Sequence, residues 1–266
     1  MSKVVNLNRV SVAILAGGHG TRIESVAEGT AKAMLKFNGY PFLGYLISHF
    51  LRLGINEILI MAGGKKDEIS KTFGTIFWRF MGVRVLDDRL SFWEHSLGTG
   101  GAVGKALKET TKESIFVCNG DTILQMNFLE LYAQFLRWGY PVGIPVTFNK
   151  GVQNESAILV QENTHRVVQF NEGGHYRKIR PTKNGFFRAS NVGAGFYKTE
   201  VRELLLPGSC LYQGFTHNLV GQGEVCALPI GHTHTFLDFG VPERYRCLKK
   251  HEKILPYIYG VPFSGL

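Results

Sequence analysis

A chain of 266 residues, 44% hydrophobic and 19% charged, has the composition of a globular protein with room for a sizeable core, and no apolar run is long enough to span a bilayer. Its 30 Lys and Arg outnumber 21 Asp and Glu, and the net charge of +9 favours anionic partners. Nucleic acid is disfavoured among them. The basic residues are dispersed, cluster most densely only in "HYRKIRPTK" (175–183), and carry no helix-turn-helix, zinc-finger or RRM signature. The four cysteines (Cys118, Cys210, Cys226, Cys247) form no C-x-x-C pair, as expected of reduced, mostly buried thiols in a cytoplasmic protein, and structural zinc is disfavoured. The N-terminal segment lacks the cleavage site of a secretory leader.

In chain order the pattern alternates strand and helix. "VSVAILAGG" predicts a buried parallel strand running into a loop, and "PFLGYLISHFLRLGI" a helix closed at Gly54. "EILIMAGG" reads as a second strand, "KDEISKTFG" as the start of a helix, and "GVRVLDD" as a third strand. "GTGGAVGKALKET" reads as a glycine loop entering a helix, and "SIFVCNGDT" as a fourth strand ending on Asp121. Alternation at this interval implies right-handed βαβ units and an α/β fold with a Rossmann-like, mostly parallel mixed sheet flanked by helices. Beyond about Tyr140, "PVGIPVTF", "SAILVQ", "RVVQFNEGG", "NVGAGFYKTE" and "EVCALPI" predict strands with fewer helices between them, extending the sheet and walling a substrate site. No linker, low-complexity tract or repeat interrupts the chain. One domain over 1–266 is therefore expected, with one functional lobe over 1–140 and a second over 141–266. The closing "ILPYIYGVPFSGL" is apolar and aromatic and is expected to pack on the body or on a neighbouring subunit, which leaves a homo-oligomer open.

Ligands of an open parallel sheet bind beyond the carboxyl ends of its strands. Four features fall there: the loop at Gly17, the glycines from Gly98, Asp121, and Asp87-Asp88, the last read as a solvated strand end. The first loop, "LAGGHGTRI", lacks Walker spacing, and Ile23 stands where the third glycine of G-x-G-x-x-G would be. Gly17, Gly18 and Gly20 instead leave room for backbone N–H groups to face phosphate oxygens. Arg22 adds a forked, permanent charge suited to pyrophosphate, and Lys32 a point charge. A glycine-rich turn without a ligand is the alternative for this loop alone, as a plain turn is for Asp121 in "NGDT". Asp238, set among apolar neighbours in "HTFLDFG", needs a partner.

Four blocks, "LAGGHGTRI…AKAMLKFNGYPFL", "SLGTGGA", "FVCNGDT" and "FLDFGVPERY", together span most of the chain. In that order they resemble the signature of the sugar-1-phosphate nucleotidyltransferases, or nucleoside-diphosphate-sugar pyrophosphorylases, which reads L-A-G-G-x-G-T-R-L…P-K-x-M. The "LGTGGA" form and the short length look most like the D-glycero-D-manno-heptose 1-phosphate guanylyltransferases, with mannose-1-phosphate guanylyltransferases close behind. The resemblance implies the nucleotide-diphospho-sugar transferase fold and, with no hexapeptide repeat present, no acyltransferase domain. It implies Mg2+-dependent formation of an NDP-sugar and pyrophosphate from an NTP, GTP being favoured, and a sugar 1-phosphate. On matching positions, Gly17, Gly18, Gly20 and Thr21 would wrap the nucleotide phosphates, with Leu15 and Ala16 also on the nucleotide side. Arg22 would face the leaving pyrophosphate and Lys32 the α-phosphate, while Asp121 and Asp238 would hold the Mg2+. Gly98, Thr99 and Gly101 would lie against base and ribose, with Asn119 and Gly120 also on the nucleotide side. Glu172, Asn191 and Gly193 fall on the sugar-phosphate side.

The chain departs from the family pattern in three places. Ala31 replaces the proline of P-K, which loosens the loop without removing the charge. Glu172-Gly173 replaces Glu-Lys, leaving Lys178, Arg180 or Lys183 as alternative cations. Gly193 occupies the place of the asparagine in N-A-G-x-Y, with Asn191 two residues earlier. His232 and His234 read as strand residues flanking Asp238 rather than as metal ligands. Two rival readings stay open. One is a glucose-1-phosphate cytidylyl-, thymidylyl- or uridylyltransferase. The other is a catalytically silent regulatory subunit of the same fold, disfavoured by retention of Arg22, Lys32, Asp121 and Asp238.

Overall fold

The structure, a computed structural model, describes residues 5–18, 20–87, 98–147, 157–171, 185–204, 218–231 and 235–263. The first strand, β1 (Val10–Leu15), is buried on both faces, which is why its sequence is a continuous apolar run rather than an alternation. A short α1 (Glu24–Ala27) and the hairpin β2 (Lys36–Phe37) and β3 (Tyr40–Pro41) lead into α2 (Phe42–Arg52). There follow β4 (Ile58–Met61), α3 (Lys66–Phe73), α4 (Ile76–Phe80), β5 (Val83–Leu86), α5 (Gly98–Glu109) and β6 (Ser114–Asn119). The chain continues through β7 (Thr122–Gln125), α6 (Phe128–Trp138), β8 (Val142–Thr147), β9 (Ala157–Gln161), β10 (Val167–Asn171), β11 (Phe186–Asn191) and β12 (Ala194–Lys198). It closes with β13 (Val225–Pro229), β14 (Thr235–Asp238), α7 (Pro242–Lys250) and α8 (Leu255–Tyr259).

The main sheet runs β10-β9-β11-β8-β12-β6-β1-β4-β5, with β13 on the other edge of β8. Strands β5, β4, β1 and β6 are parallel, and β12 enters antiparallel between β6 and β8. The sheet is thus parallel from β5 to β6 and mixed from β12 onward, as the alternation of elements implies. Successive residues of β1 feed opposite faces: Val12 and Ile14 join one core with α2 and α6, while Ala13 joins a second core with α5. Helices therefore cover both faces, and the strand ends stay open to ligands.

Several elements differ from the sequence reading. The glycines at Gly98–Gly101 form the first turn of α5 rather than a loop ahead of it. "NVGAGFYKTE" is not one strand: Asn191 ends β11, the chain turns at Val192-Gly193, and β12 begins at Ala194. Pro145 explains the break. It has no N–H to offer a ladder, and β8 changes partner there, from β12 at Gly143 to β11 at Val146. Helix α6 and strands β7 and β11 have no counterpart among the elements read from the sequence. Yet α6 carries ordinary signals, since Asn127 Oδ1 accepts from Glu130 N–H (3.2 Å) and Gly139 closes it at φ +76°. Asp87 directly follows β5 with its carboxylate partly exposed, as read, 3.8 Å from Lys66, and its carbonyl accepts from Lys105. Asp88 lies outside the described residues.

The C-terminal segment packs on the body, as one of its two expected placements. Leu255 and Tyr259 are buried, and the Tyr259 hydroxyl accepts the Leu124 N–H at 2.7 Å. Arg52 donates to the carbonyls of Tyr259 and Val261 and lies over the Phe263 ring. Among the described residues no helix is long and apolar enough to cross a membrane.

Candidate active site

Strands β1 and β6 end side by side, with Leu15 opposite Asn119, and the segments after them build the site. The Gly120 N–H donates to the Leu15 carbonyl at 2.9 Å. That approach needs glycine: a Cβ at Gly120 would stand 3.0 Å from Leu15 O and 3.1 Å from Ala33 Cβ. The next residue is Asp121.

Asp238 arrives from the other end of the chain by strand pairing. Strand β14 runs antiparallel to β7 with Asp238 opposite Thr122, and the Phe239 N–H donates to the Asp121 carbonyl (3.1 Å). Phe239 is fully buried edge-on to Phe42 (4.8 Å between centroids) and Phe37 (5.3 Å), so an aromatic anchor fixes the residue next to the carboxylate. The convergence is tightest at Gly240. A Cβ there would meet Asp238 Oδ1 at 3.2 Å, Asp121 Oδ2 at 3.3 Å and Lys32 Nζ at 3.4 Å. Lys32 Nζ donates to Asp121 Oδ2 (3.3 Å), Arg244 Nη1 to Asp238 Oδ2, and Gly240 N–H to Asp238 Oδ1 (3.1 Å). Two carboxylates thus face two cations.

A cavity of about 330 Å3 opens beside this cluster, walled by Leu15, Ala16, Gly17, Gly18, Lys32, Ala33, Gly98, Thr99, Ala102, Asn119, Gly120 and Asp121. A second, of about 180 Å3, shares Leu15, Thr99 and Asn119 and adds Val117, Asn191, Gly193, Ala194, Gly195 and Tyr197. At its wall the Gly193 N–H donates to Asn191 Oδ1 (3.0 Å), and Gly193 takes φ +72°, a conformation that glycine or asparagine adopts most readily. Gly193 therefore presents no side chain to the cavity. Gly20 (φ +71°) lies against the Lys32 stem, where a Cβ would come within 3.3 Å of Lys32 Cγ.

Not every expected residue joins these walls. Thr21 and Arg22 are exposed on a 3-10 turn (Thr21–Ile23), line neither cavity, and Arg22 has no carboxylate partner among the described residues. Gly101 lies in the first turn of α5, off both cavity linings. Glu172, Gly173, Lys178, Arg180, Lys183, His232 and His234 lie outside the described residues. Conversely, Gly240, Arg244, Ala33 and Ala102 were not singled out by the sequence. The D-x-G spacing of Asp238 and Gly240 was a usable signal. Nothing in the sequence announces Arg244 before α7 is placed.

The donor set bears on metal binding. Among the described residues no group of three or more His, Cys, Asp and Glu assembles, so they offer no all-protein metal cage. Two convergent carboxylates match Mg2+, which commonly takes one or two carboxylates together with phosphate oxygens. Lys32 and Arg244 already balance the two carboxylates, so a divalent cation bound there would leave net positive charge for an incoming polyphosphate.

The family model described as the MobA-like NTP transferase domain matches residues 12–180. The D-glycero-alpha-D-manno-heptose 1-phosphate guanylyltransferase of Campylobacter jejuni is 32% identical over 245 residues, covering 87% of this chain and 95% of the relative. The enzyme of the same name from Aneurinibacillus thermoaerophilus is 25% identical over 241 residues, covering 89% and 96%. In fold, the chain superposes on HddC from Yersinia pseudotuberculosis complexed with GMP-PN, with a TM-score of 0.69 at 22% identity, covering 91% of this chain and 98% of that one. With the motifs at the strand ends and near full-length coverage in agreement, the chain belongs to the MobA-like NTP transferases, among the sugar-1-phosphate nucleotidyltransferases, and is an enzyme of that class.

Proposed function

We propose that the protein makes a GDP-sugar and pyrophosphate from GTP and D-glycero-D-manno-heptose 1-phosphate, with Mg2+, in the cytoplasm. The observation that carries the reading is the convergence of Lys32, Asp121 and Asp238 on Gly240, beside a cavity walled by the backbone of Leu15–Gly18. The phosphate oxygen of the sugar attacks the α-phosphorus in line. The bond from that phosphorus to the oxygen bridging to the β-phosphate breaks, and pyrophosphate leaves with the electron pair. Backbone N–H groups at Gly17, Gly18 and Gly20 receive the phosphates. Lys32 offsets charge near the α-phosphate, and Arg22, with no carboxylate partner among the described residues, swings to the leaving pyrophosphate. Asp121 and Asp238 would hold the Mg2+, which would neutralise phosphate charge when bound. The first cavity takes the nucleotide and the second, at Asn191 and Gly193, the sugar.

The guanine assignment draws on the named relatives and on the chemistry of the first turn of α5. Gly98 places no side chain before the base, and Thr99 adds a hydroxyl. A site that hydrogen-bonds guanine O6, N1–H and the N2 amine rejects bases lacking those groups more strongly than an apolar pocket could. Competition among the four NTPs at equal concentration, with heptose, mannose and glucose 1-phosphates, tests it. The expected product is dominated by the GDP-heptose. A mixture dominated by a CDP-, UDP- or dTDP-sugar would overturn the base assignment and leave the reaction class standing.

A further inference from the structure

The segment that delivers Lys32 to the cavity has no ladder to hold it. It leaves α1 through two successive left-handed residues, Glu28 (φ +47°) and Gly29 (φ +80°), and reaches Ala31 as irregular backbone. Helix α3 and the residue before it grip this segment. Lys65 Nζ donates to the Gly29 carbonyl (2.5 Å), and both carboxylate oxygens of Glu68 accept the Ala31 N–H (3.0 and 3.2 Å). Ala31 is 1% exposed, so without Glu68 its N–H would be a buried donor without a partner. On its other side the Ala31 carbonyl accepts the Met34 N–H (2.8 Å), which starts the 3-10 turn that carries Lys32. Ala31 is thus fixed at both its donor and its acceptor, and the next side chain is the one that reaches Asp121.

The conformation held in this way is φ −58°, ψ 134°. A proline ring would impose that φ unaided and would have no N–H to satisfy. Ala31, the residue that departs from the family pattern, has both a free φ and a donor, and one carboxylate on α3 restrains both.

We propose that Glu68 is a positioning residue for Lys32, its carboxylate standing in for a proline ring at Ala31. The role rests on the assignment of Lys32 to the substrate phosphates. It explains why an acidic side chain in the first turn of α3 faces the phosphate-binding loop of a site that must attract anions. The carboxylate is occupied by a backbone donor.

The test is a cycle of four proteins, wild type, Glu68→Ala, Ala31→Pro and the double variant, assayed by pyrophosphate release with GTP, heptose 1-phosphate and Mg2+. Thermal melting is followed alongside, and Lys32→Ala serves as reference. Glu68→Ala is expected to lower kcat about tenfold with KM for GTP changed less than about threefold. In the Ala31→Pro background the same change is expected to cost less than about threefold, since no N–H is left to satisfy. An equal loss in both backgrounds, or no loss in either, overturns the proposal. Should Ala31→Pro not fold, Glu68→Gln decides. The amide oxygen still accepts the Ala31 N–H, so turnover within about threefold of wild type is expected. A loss as large as that of Glu68→Ala overturns the role. Unchanged turnover in Lys32→Ala would remove the assignment of Lys32 and the proposal with it. Inactive Lys32→Ala beside unaffected Glu68→Ala removes only the positioning role.

Discussion

Gly240 sits where two carboxylates and an ammonium meet, and its lack of a side chain is what lets them meet. Its backbone is not in the left-handed region, so Gly240→Ala tests space rather than strain. The added methyl would crowd Asp238 Oδ1, Asp121 Oδ2 and Lys32 Nζ together. Turnover is expected to fall at least about tenfold while the melting temperature moves by less than a few degrees, as steady-state kinetics and thermal melting would show. Wild-type turnover would mean that the three groups do not act from this geometry. The sequence displayed Asp121, Asp238 and Lys32 only as members of motifs. Their meeting depends on the β14–β7 register, which sets Asp238 opposite Thr122 and cannot be read from spacing. Arg244 was illegible for the same reason, because its contact with Asp238 exists only once α7 is docked.

Two elements hold the site in place, and each can be loosened separately. Phe239 anchors the end of β14 among Phe37 and Phe42, and Phe239→Ala is expected to cost about 3–5 kcal/mol by chemical denaturation. A cost below about 1 kcal/mol would mean the aromatic cluster collapses around the gap and does not pin Asp238. On the same side of the sheet, α2 presents His49 to the ring of Tyr259 on α8 at 5.2 Å. Burial, and secondarily the charge of Arg52, lower its pKa from the usual 6.5 to about 4. The unfolded chain therefore takes up a proton below pH 6.5 that the folded chain refuses until about pH 4. The resulting stability is complete above pH 6.5 and is lost as the pH falls toward 4, at about 1.4 kcal/mol per pH unit. Denaturation at pH 7.5 and at pH 5 should show the wild type losing about 2 kcal/mol more than His49→Phe. Equal losses would remove His49 as the cause. At this scale the strands of the nucleotide side were legible because buried parallel strands read as unbroken apolar runs. Helix α6 has its caps, Asn127 and Gly139, written plainly in the sequence. The turn at Val192-Gly193 was hidden, because its cause, Pro145, lies on a strand distant in sequence.

Across the whole molecule, the parallel strands deliver a glycine-rich loop, a helix N-terminus and an aspartate to one edge, and β12 with the end of β11 adds the wall of a second cavity beside the first. An isolated bridge between Arg166 and Cys226 ties the start of β10 to β13, so the second half folds back on itself. The arrangement suits two anionic substrates that must meet end to end at one phosphorus. Alternation of strand and helix was enough to foresee the parallel half. The mixed half required pairings between distant segments, which apolar periodicity does not specify. In the proposed reaction these cavities join a nucleotide to a sugar 1-phosphate at the Asp121–Asp238 cluster. Phosphorus NMR of the protein with GTP, heptose 1-phosphate and Mg2+ follows both substrates and both products in one tube. Pyrophosphate and a GDP-sugar are expected to grow in equal amounts, to require all three components, and to fall by orders of magnitude with folded Asp238→Asn. Pyrophosphate without an NDP-sugar, or an undiminished rate in Asp238→Asn at saturating Mg2+, would contradict it.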